Sequence, residues 1–138
     1  MKIQGIIEDD GHAYIHAFIV YPQIMRPAPI VFLVDLGATT TTILEGDCVR
    51  LGIDCDRLEK VPEPTVVPGG RTEPHILQDV ILIFETKEGE FQFEKLDKID
   101  VIPPKADSIL LPFSLLGIDI ISRFKLTYSK NEGLTLEK

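Results

Sequence analysis

Glycine and proline interrupt this sequence so often that few stretches are long enough to form a helix. Ten residues of each type divide the 138 positions into short apolar runs. Many short strands with turns between them are typical of a β-barrel or a folded sheet. The length suits one domain, 1–138, and no linker or internal repeat divides it. Because 44% of the residues are hydrophobic, a folded core is favoured over disorder. The sequence therefore predicts an all-β domain.

The apolar runs place the predicted strands. Lys2–Ile7 and Ala13–Tyr21 flank an Asp-Gly turn, which is a strong hairpin signal. The run Ile30–Val34 ends at Asp35 and suits a strand that is covered on both faces. The other segments predicted to be extended are Thr39–Ile43, Val61–Val67, Ile76–Glu85, Phe91–Leu96, Val101-Ile102, Lys125–Tyr128 and Gly133–Glu137.

Two short helices are predicted among these strands. Glu45–Leu51 is apolar along one face and is followed by Gly52, a helix-stopping residue. Ile118–Phe124 is the second, with Asp119 near its start as a favourable N-cap type.

Charge and cysteine content exclude several classes of function. The formal net charge is −8 without a Lys/Arg cluster, so the sequence predicts no nucleic-acid partner. No apolar run approaches the roughly 20 residues of a membrane span, and the N-terminus lacks a signal-peptide pattern, which predicts a cytoplasmic protein without a membrane partner. Cys48 and Cys55 have no His at metal-ligand spacing. They are interpreted as two ordinary thiols, although a disulfide stays possible, and no metal or cofactor is expected.

The functional residues are predicted to lie directly after the run Ile30–Val34. An ionisable side chain at the end of an apolar strand is a functional candidate, because burial alters how readily it loses its proton. A glycine two residues later lets a substrate or another backbone approach closely. The candidate loop is Asp35, Leu36, Gly37, Ala38, Thr39 and Thr40.

This loop resembles the active-site loop of the retropepsin-like (retroviral-type) aspartic proteases. Their pattern is an apolar strand, then Asp-Thr/Ser-Gly-Ala, then small hydroxyl residues. Two more segments, 67–71 and 114–124, follow in the family's order, and with the closing Leu126–Leu136 the resemblance covers nearly the whole chain. Residues 114–124 resemble its apolar-apolar-Gly segment and short helix, and Leu126–Leu136 resembles its terminal strands. Its flap, a Gly-rich hairpin tip over the substrate, is similar to Val67, Pro68, Gly69, Gly70 and Arg71.

The resemblance implies a small closed or folded barrel with a flap hairpin. It also implies an aspartic endopeptidase that works as a homodimer, in which each chain supplies one catalytic Asp35. The two carboxylates would share a proton and activate a water molecule against a peptide or protein substrate.

The loop departs from the family pattern at Leu36, which replaces the usual Thr or Ser. In the family that hydroxyl hydrogen-bonds across the dimer. Leucine cannot make this bond, so a non-catalytic module that binds peptides or forms dimers is a second hypothesis. Ile118 and Thr39 replace an Arg and an Asp that pair in viral members, and their joint loss leaves no buried charge unpaired.

A third hypothesis comes from the similarity of 35–40 to the phosphate loop of the actin/Hsp70/sugar-kinase ATPases, which often read Asp-Leu-Gly-Thr-Thr. Those folds need a far longer chain, and their loop leads into a hairpin rather than a helix.

Overall fold

The structure, a computed structural model, describes residues 1–61, 65–67 and 70–138, and it describes 65–67 and 70–72 by their backbone alone. Thirteen strands, two α-helices and one 3₁₀ helix are assigned in this part of the chain. In chain order they are β1 (Lys2–Gln4), β2 (Ile6–Ile7), β3 (Ala13–Val20), β4 (Ala28–Val34), β5 (Thr42–Ile43), α1 (Glu45–Leu51), η1 (Cys55–Arg57), β6 (Glu59–Lys60), β7 (Thr65–Val67), β8 (Gly70–Thr72), β9 (His75–Glu85), β10 (Phe91–Val101), β11 (Ser114–Leu116), α2 (Ile118–Ile121), β12 (Lys125–Ser129) and β13 (Gly133–Glu137).

Six of these strands close into a barrel, as the sequence predicted. The order β3-β4-β11-β5-β10-β9 returns to its start because β9 also pairs with β3. Inward and outward residues alternate along β3, where Ala13, Ile15, Ala17 and Ile19 are buried. This period of two is what a strand with one core-facing side requires.

The first predicted strand, Lys2–Ile7, is in fact two. Gly5 is buried at the break, and its N–H donates to the carbonyl of Leu134 at 2.8 Å. A Cβ at Gly5 would lie 3.0 Å from the Leu134 side chain and 3.1 Å from the Tyr14 carbonyl. The chain therefore passes at this glycine from the terminal sheet to β2, which pairs with the barrel strand β3.

The predicted break between Phe91–Leu96 and Val101 is wrong, since β10 runs without interruption through Val101. Asp97 is the one residue between Phe91 and Val101 without a pairing partner in the ladder to β9. On β9 the nearby Asp79 has a φ of 57°, which lies in the left-handed region. The pairing of β10 with β9 is therefore locally irregular at Asp97, but β10 continues past this residue.

The helix predictions differ in outcome. Helix α1 has the predicted bounds, and Gly52 ends it with a φ of 70°, a left-handed conformation that favours glycine. Helix α2 ends at Ile121, three residues earlier than predicted. Its N-cap is Gly117, so the prediction of Asp119 as the cap is wrong.

The terminal segments form a separate sheet in the order β1-β13-β12. The predicted closing hairpin is confirmed, with Leu126 opposite Leu136. Strand β13 is paired along both edges, which leaves β12 and β1 at the outside. Within the described residues, none of the helices has the length and apolar character needed to cross a membrane.

Candidate active site

Asp35 lies directly after β4, the barrel strand between β3 and β11. Its backbone N–H donates to the carbonyl of Leu116 at 3.0 Å, and its own carbonyl accepts from the N–H of Ala38 at 3.2 Å. The Gly37 N–H donates to Asp35 Oδ1 at 2.9 Å. The carboxylate is half-buried, so it is held in a fixed tight turn while one side stays open to solvent.

A second segment, 116–119, crosses this turn in close contact. The Ile118 N–H donates to the Ala38 carbonyl at 2.8 Å. A Cβ at Gly117 would lie 2.7 Å from the Thr40 carbonyl carbon and 2.8 Å from the Ala38 oxygen. Only glycine fits at this crossing, because both neighbours are backbone atoms.

Thr41 joins the two segments through its backbone and its hydroxyl. Its N–H donates to Asp119 Oδ2 at 2.9 Å, and its hydroxyl donates to Asp119 Oδ1 at 2.7 Å. The same hydroxyl oxygen accepts from the Gly117 N–H at 3.1 Å. Thr41 is fully buried, so these bonds fix the end of the loop that begins at Asp35.

Asp119 also faces a second carboxylate. Burial first, and then the charge of Asp119, raise the pKa of Asp100 above its usual range, while Lys98 acts weakly in the opposite direction. The Asp100 N–H donates to the Thr41 carbonyl at 3.1 Å. Two acidic groups therefore flank the threonine that anchors the loop.

A further buried hydrogen-bond network joins helix α1 to strand β11. Ser114 donates its hydroxyl hydrogen to Asp47 Oδ2 at 2.7 Å and accepts from the Leu44 N–H at 3.1 Å. Arg50 pairs with the other oxygen of Asp47 at 3.0 Å. The start of α1 is thus bound to β11, which lies beside the strand that carries Asp35.

The structure brings the predicted loop residues together as one turn. Leu36 is 64% exposed, Gly37 and Thr39 are exposed, and Ala38 and Thr40 are half-buried. Thr39 is not extended, since the strand predicted over Thr39–Ile43 begins only at Thr42.

Thr41 and Asp119 were missed as site residues. The available signal was the position of Asp119 within segment 114–124, which resembles a characteristic segment of the family.

The predicted flap falls partly outside the described residues. Val67 pairs with Gly70, and Val66 pairs with Arg71, in an antiparallel ladder between β7 and β8. Pro68 and Gly69 lie outside the described part of the chain, as do the side chains of Val67 and Arg71. The role of this hairpin as a flap stays a prediction.

A cleft of about 370 Å³ on the barrel surface is a weaker candidate site. His16, Phe18, Asp47, Arg50 and Glu85 contribute to its lining. Asp47 and Arg50 are bound to each other, so their charges are already satisfied. Within the described residues, no cluster of three or more His, Cys, Asp or Glu side chains is arranged to hold a metal ion.

Comparison with known proteins supports the fold. The chain is similar to the crystal structure of a retropepsin-like aspartic protease from Rickettsia conorii, with 25% sequence identity over 99% of this chain and 88% of that one, and a TM-score of 0.64. The fold is retropepsin-like. The resemblance predicted from the sequence is thereby confirmed at the level of the fold.

A weaker likeness exists to the retroviral protease-like domain of Ddi1 from Leishmania major, with 14% identity over 88% of this chain and 90% of that one, and a TM-score of 0.43. No protein-family model and no curated protein sequence matches the chain. The phosphate-loop hypothesis gains no support, since the loop after β4 continues into β5 and α1 rather than into a hairpin.

Proposed function

We propose that this protein is an aspartic endopeptidase that acts as a homodimer, with one Asp35 from each chain in a shared catalytic dyad. The observation that carries the proposal is the turn that begins at Asp35, held in a retropepsin-like barrel by the crossing segment 116–119. Structural kinship to an aspartic protease supports a peptidase in general terms. The dimer and the dyad are the specific part of the proposal.

The chemistry requires two carboxylates, and the chain contains a single Asp-x-Gly-Ala loop. Two carboxylates in close contact cannot both ionise easily, so they share one proton, as in aspartic proteases generally. The ionised carboxylate takes a proton from a water molecule, which attacks the carbonyl carbon of the scissile bond. The protonated carboxylate donates its proton to the developing oxyanion.

The surface beside Asp35 supports a two-fold contact. Leu36, the next residue, is 64% exposed in the single chain, and Ile118 on the crossing segment is 39% exposed. Burial of one leucine side chain contributes roughly 1.5–3 kcal/mol. In an isologous dimer the contribution is made twice, because each chain buries the same residue. Leu36 can thus stabilise the interface where the family has a hydroxyl.

Leu36 also motivates the second candidate function, a non-catalytic module that binds peptides. A leucine cannot donate the hydrogen bond that braces paired loops in the family. In this alternative the dimer and the groove persist, and extended peptides bind through backbone pairing without being cleaved. The two functions share the fold and differ only in turnover. The cytoplasmic location stays a prediction from the sequence.

The experiment that separates them is incubation with an unfolded protein at mildly acidic pH, beside Asp35→Asn. This substitution preserves the shape of the side chain and removes its ionisation. Cleavage by the wild type that is lost in Asp35→Asn supports the endopeptidase. Peptide binding without cleavage by either protein supports the binding module instead. Analytical ultracentrifugation on the same samples reports the dimer, and a monomer mass at micromolar concentration contradicts it.

A further inference from the structure

The two cysteines of the sequence lie in direct contact. Their Sγ atoms are 3.4 Å apart, although Cys48 belongs to α1 and Cys55 begins η1. A disulfide bond is about 2.05 Å long, so a small movement of the side chains closes the gap. The sequence alone predicted two ordinary thiols, because spacing in the chain does not reveal contact in space.

Hydrogen bonds of the backbone between the cysteines already hold the two residues close together. Gly52 reverses the chain with a φ of 70°, and the Ile53 N–H donates to the Cys48 carbonyl at 3.1 Å. The Asp54 N–H donates to the side chain of Gln23 at 3.1 Å. The reduced protein has therefore already lost most of the entropy that closing this loop requires.

The two thiols differ in access to solvent. Cys48 is 2% exposed, whereas Cys55 is half-buried. Burial raises the pKa of the Cys48 thiol to about 12, and burial also raises the pKa of Cys55. Because the thiolate is the reactive form, neither cysteine has the properties of a fast peroxide sensor. Slow exchange that begins at Cys55 fits both observations.

We propose that Cys48 and Cys55 form a reversible intramolecular disulfide by exchange with a small-molecule disulfide. The Cys55 thiolate attacks one sulfur of the small disulfide and releases its first half as a thiol. The Cys48 thiolate then attacks the Cys55 sulfur of this mixed disulfide and displaces the second half. The protein loses two electrons and two protons, and the small disulfide gains both. The inference is independent of the proposed peptidase activity.

Charge near Cys55 determines which disulfide reacts faster. Asp54 and Asp56 flank this thiol, and their charges contribute to its raised pKa. Carboxylates on both sides repel an anionic disulfide and attract a cationic one. We therefore expect cystamine to oxidise the protein faster than oxidised glutathione. The cross-link constrains the unfolded chain, so the oxidised form should melt about 3–8 °C higher.

The test incubates the intact protein with cystamine and follows its mass. The expected product is lighter than the reduced protein by two hydrogen atoms. Trypsin cuts after Arg50, between the two cysteines, so the digest should contain two peptides joined only by the disulfide. Cys48→Ser is the matched control, and it should stop at one cysteamine adduct on Cys55. Cys55→Ser should stay unmodified, because Cys48 is buried.

Three results overturn the proposal. They are a wild type that stays reduced in excess cystamine, a wild type that accumulates cysteamine adducts without closing, and a disulfide that joins two chains. The wild-type mass and the peptide map decide these outcomes even where a serine variant fails to fold. A reducing agent should restore the original mass and melting temperature.

Discussion

Removal of the Asp119 carboxylate should release the loop that carries Asp35. In Asp119→Ala, Thr41 loses the acceptor of two hydrogen bonds, at 2.9 Å and 2.7 Å. Thr41 is fully buried, so its N–H and hydroxyl lose their acceptor at a position shielded from solvent. Each unsatisfied buried donor costs about 1–3 kcal/mol, and Thr41 has two, its N–H and its hydroxyl. Loss of the repulsion between Asp119 and Asp100 offsets part of this cost.

The net expectation is a loss of about 2–4 kcal/mol in the free energy of unfolding. For a chain of this size, that corresponds to a melting temperature about 6–12 °C lower. Asp119→Asn retains one carbonyl oxygen as an acceptor and should lose only about 1 kcal/mol. Asp107→Ala is the matched surface control, because Asp107 is exposed and the same charge is removed.

Urea unfolding at pH 7 measures these differences directly, and peptide cleavage by the same variants reports on the loop. If the loop is positioned as argued, Asp119→Ala should cleave about 100-fold more slowly, with a lower kcat at temperatures where it stays folded. The reasoning is refuted if Asp119→Ala unfolds at the same urea concentration as Asp107→Ala. In that case the bonds to Thr41 do not hold the loop.

Three further predictions concern single side chains. Leu36→Thr should cleave peptides at least as fast as the wild type, and slower cleavage would contradict this. Its melting temperature should be unchanged or lower by a few degrees, because a hydrogen bond worth about 0.5–1.5 kcal/mol replaces apolar burial of similar or larger size. Because burial raises the pKa of Asp100 in the folded state, the wild type loses stability as pH rises from the ordinary carboxyl pKa through the raised value. Asp100→Asn should therefore melt higher than the wild type at pH 7, and the difference should vanish below pH 4; an equal difference at both pH values would argue against it. The Glu94 side chain is 3% exposed and accepts from Arg123 at 3.1 Å and from Lys138 at 2.9 Å. Glu94→Gln should therefore lower the free energy of unfolding by about 1–3 kcal/mol, a range that is reduced by the partial exposure of both cations. Unchanged urea unfolding would show that this cluster contributes nothing to stability.

Local patterns in the sequence predicted the elements that depend on local forces. The bounds of α1 were read correctly because a one-sided apolar face is followed by Gly52. The closing hairpin was also readable, as two extended segments joined by a short turn that ends at Gly133. Asp35 was selected as a candidate because the end of an apolar strand is an unusual place for a carboxylate.

Contacts between segments that are distant in the sequence could not be predicted from local patterns. The barrel closes because β9 pairs with β3, where Phe18 lies opposite Ile83, and no local pattern encodes that pairing. The role of Asp119 depends on a loop 78 residues earlier, so its side chain was interpreted as a local cap. The contact between Cys48 and Cys55 depends on a reversal at one glycine.

The central claim is that catalysis needs one Asp35 from each of two chains. The most direct test mixes wild type with Asp35→Asn at constant total concentration and allows subunits to exchange. If only dimers with two aspartates are active, cleavage falls with the square of the wild-type fraction, to about a quarter when half of the chains are wild type. A fall in simple proportion, to about half of the starting rate, would mean that each chain acts alone and would contradict the shared dyad.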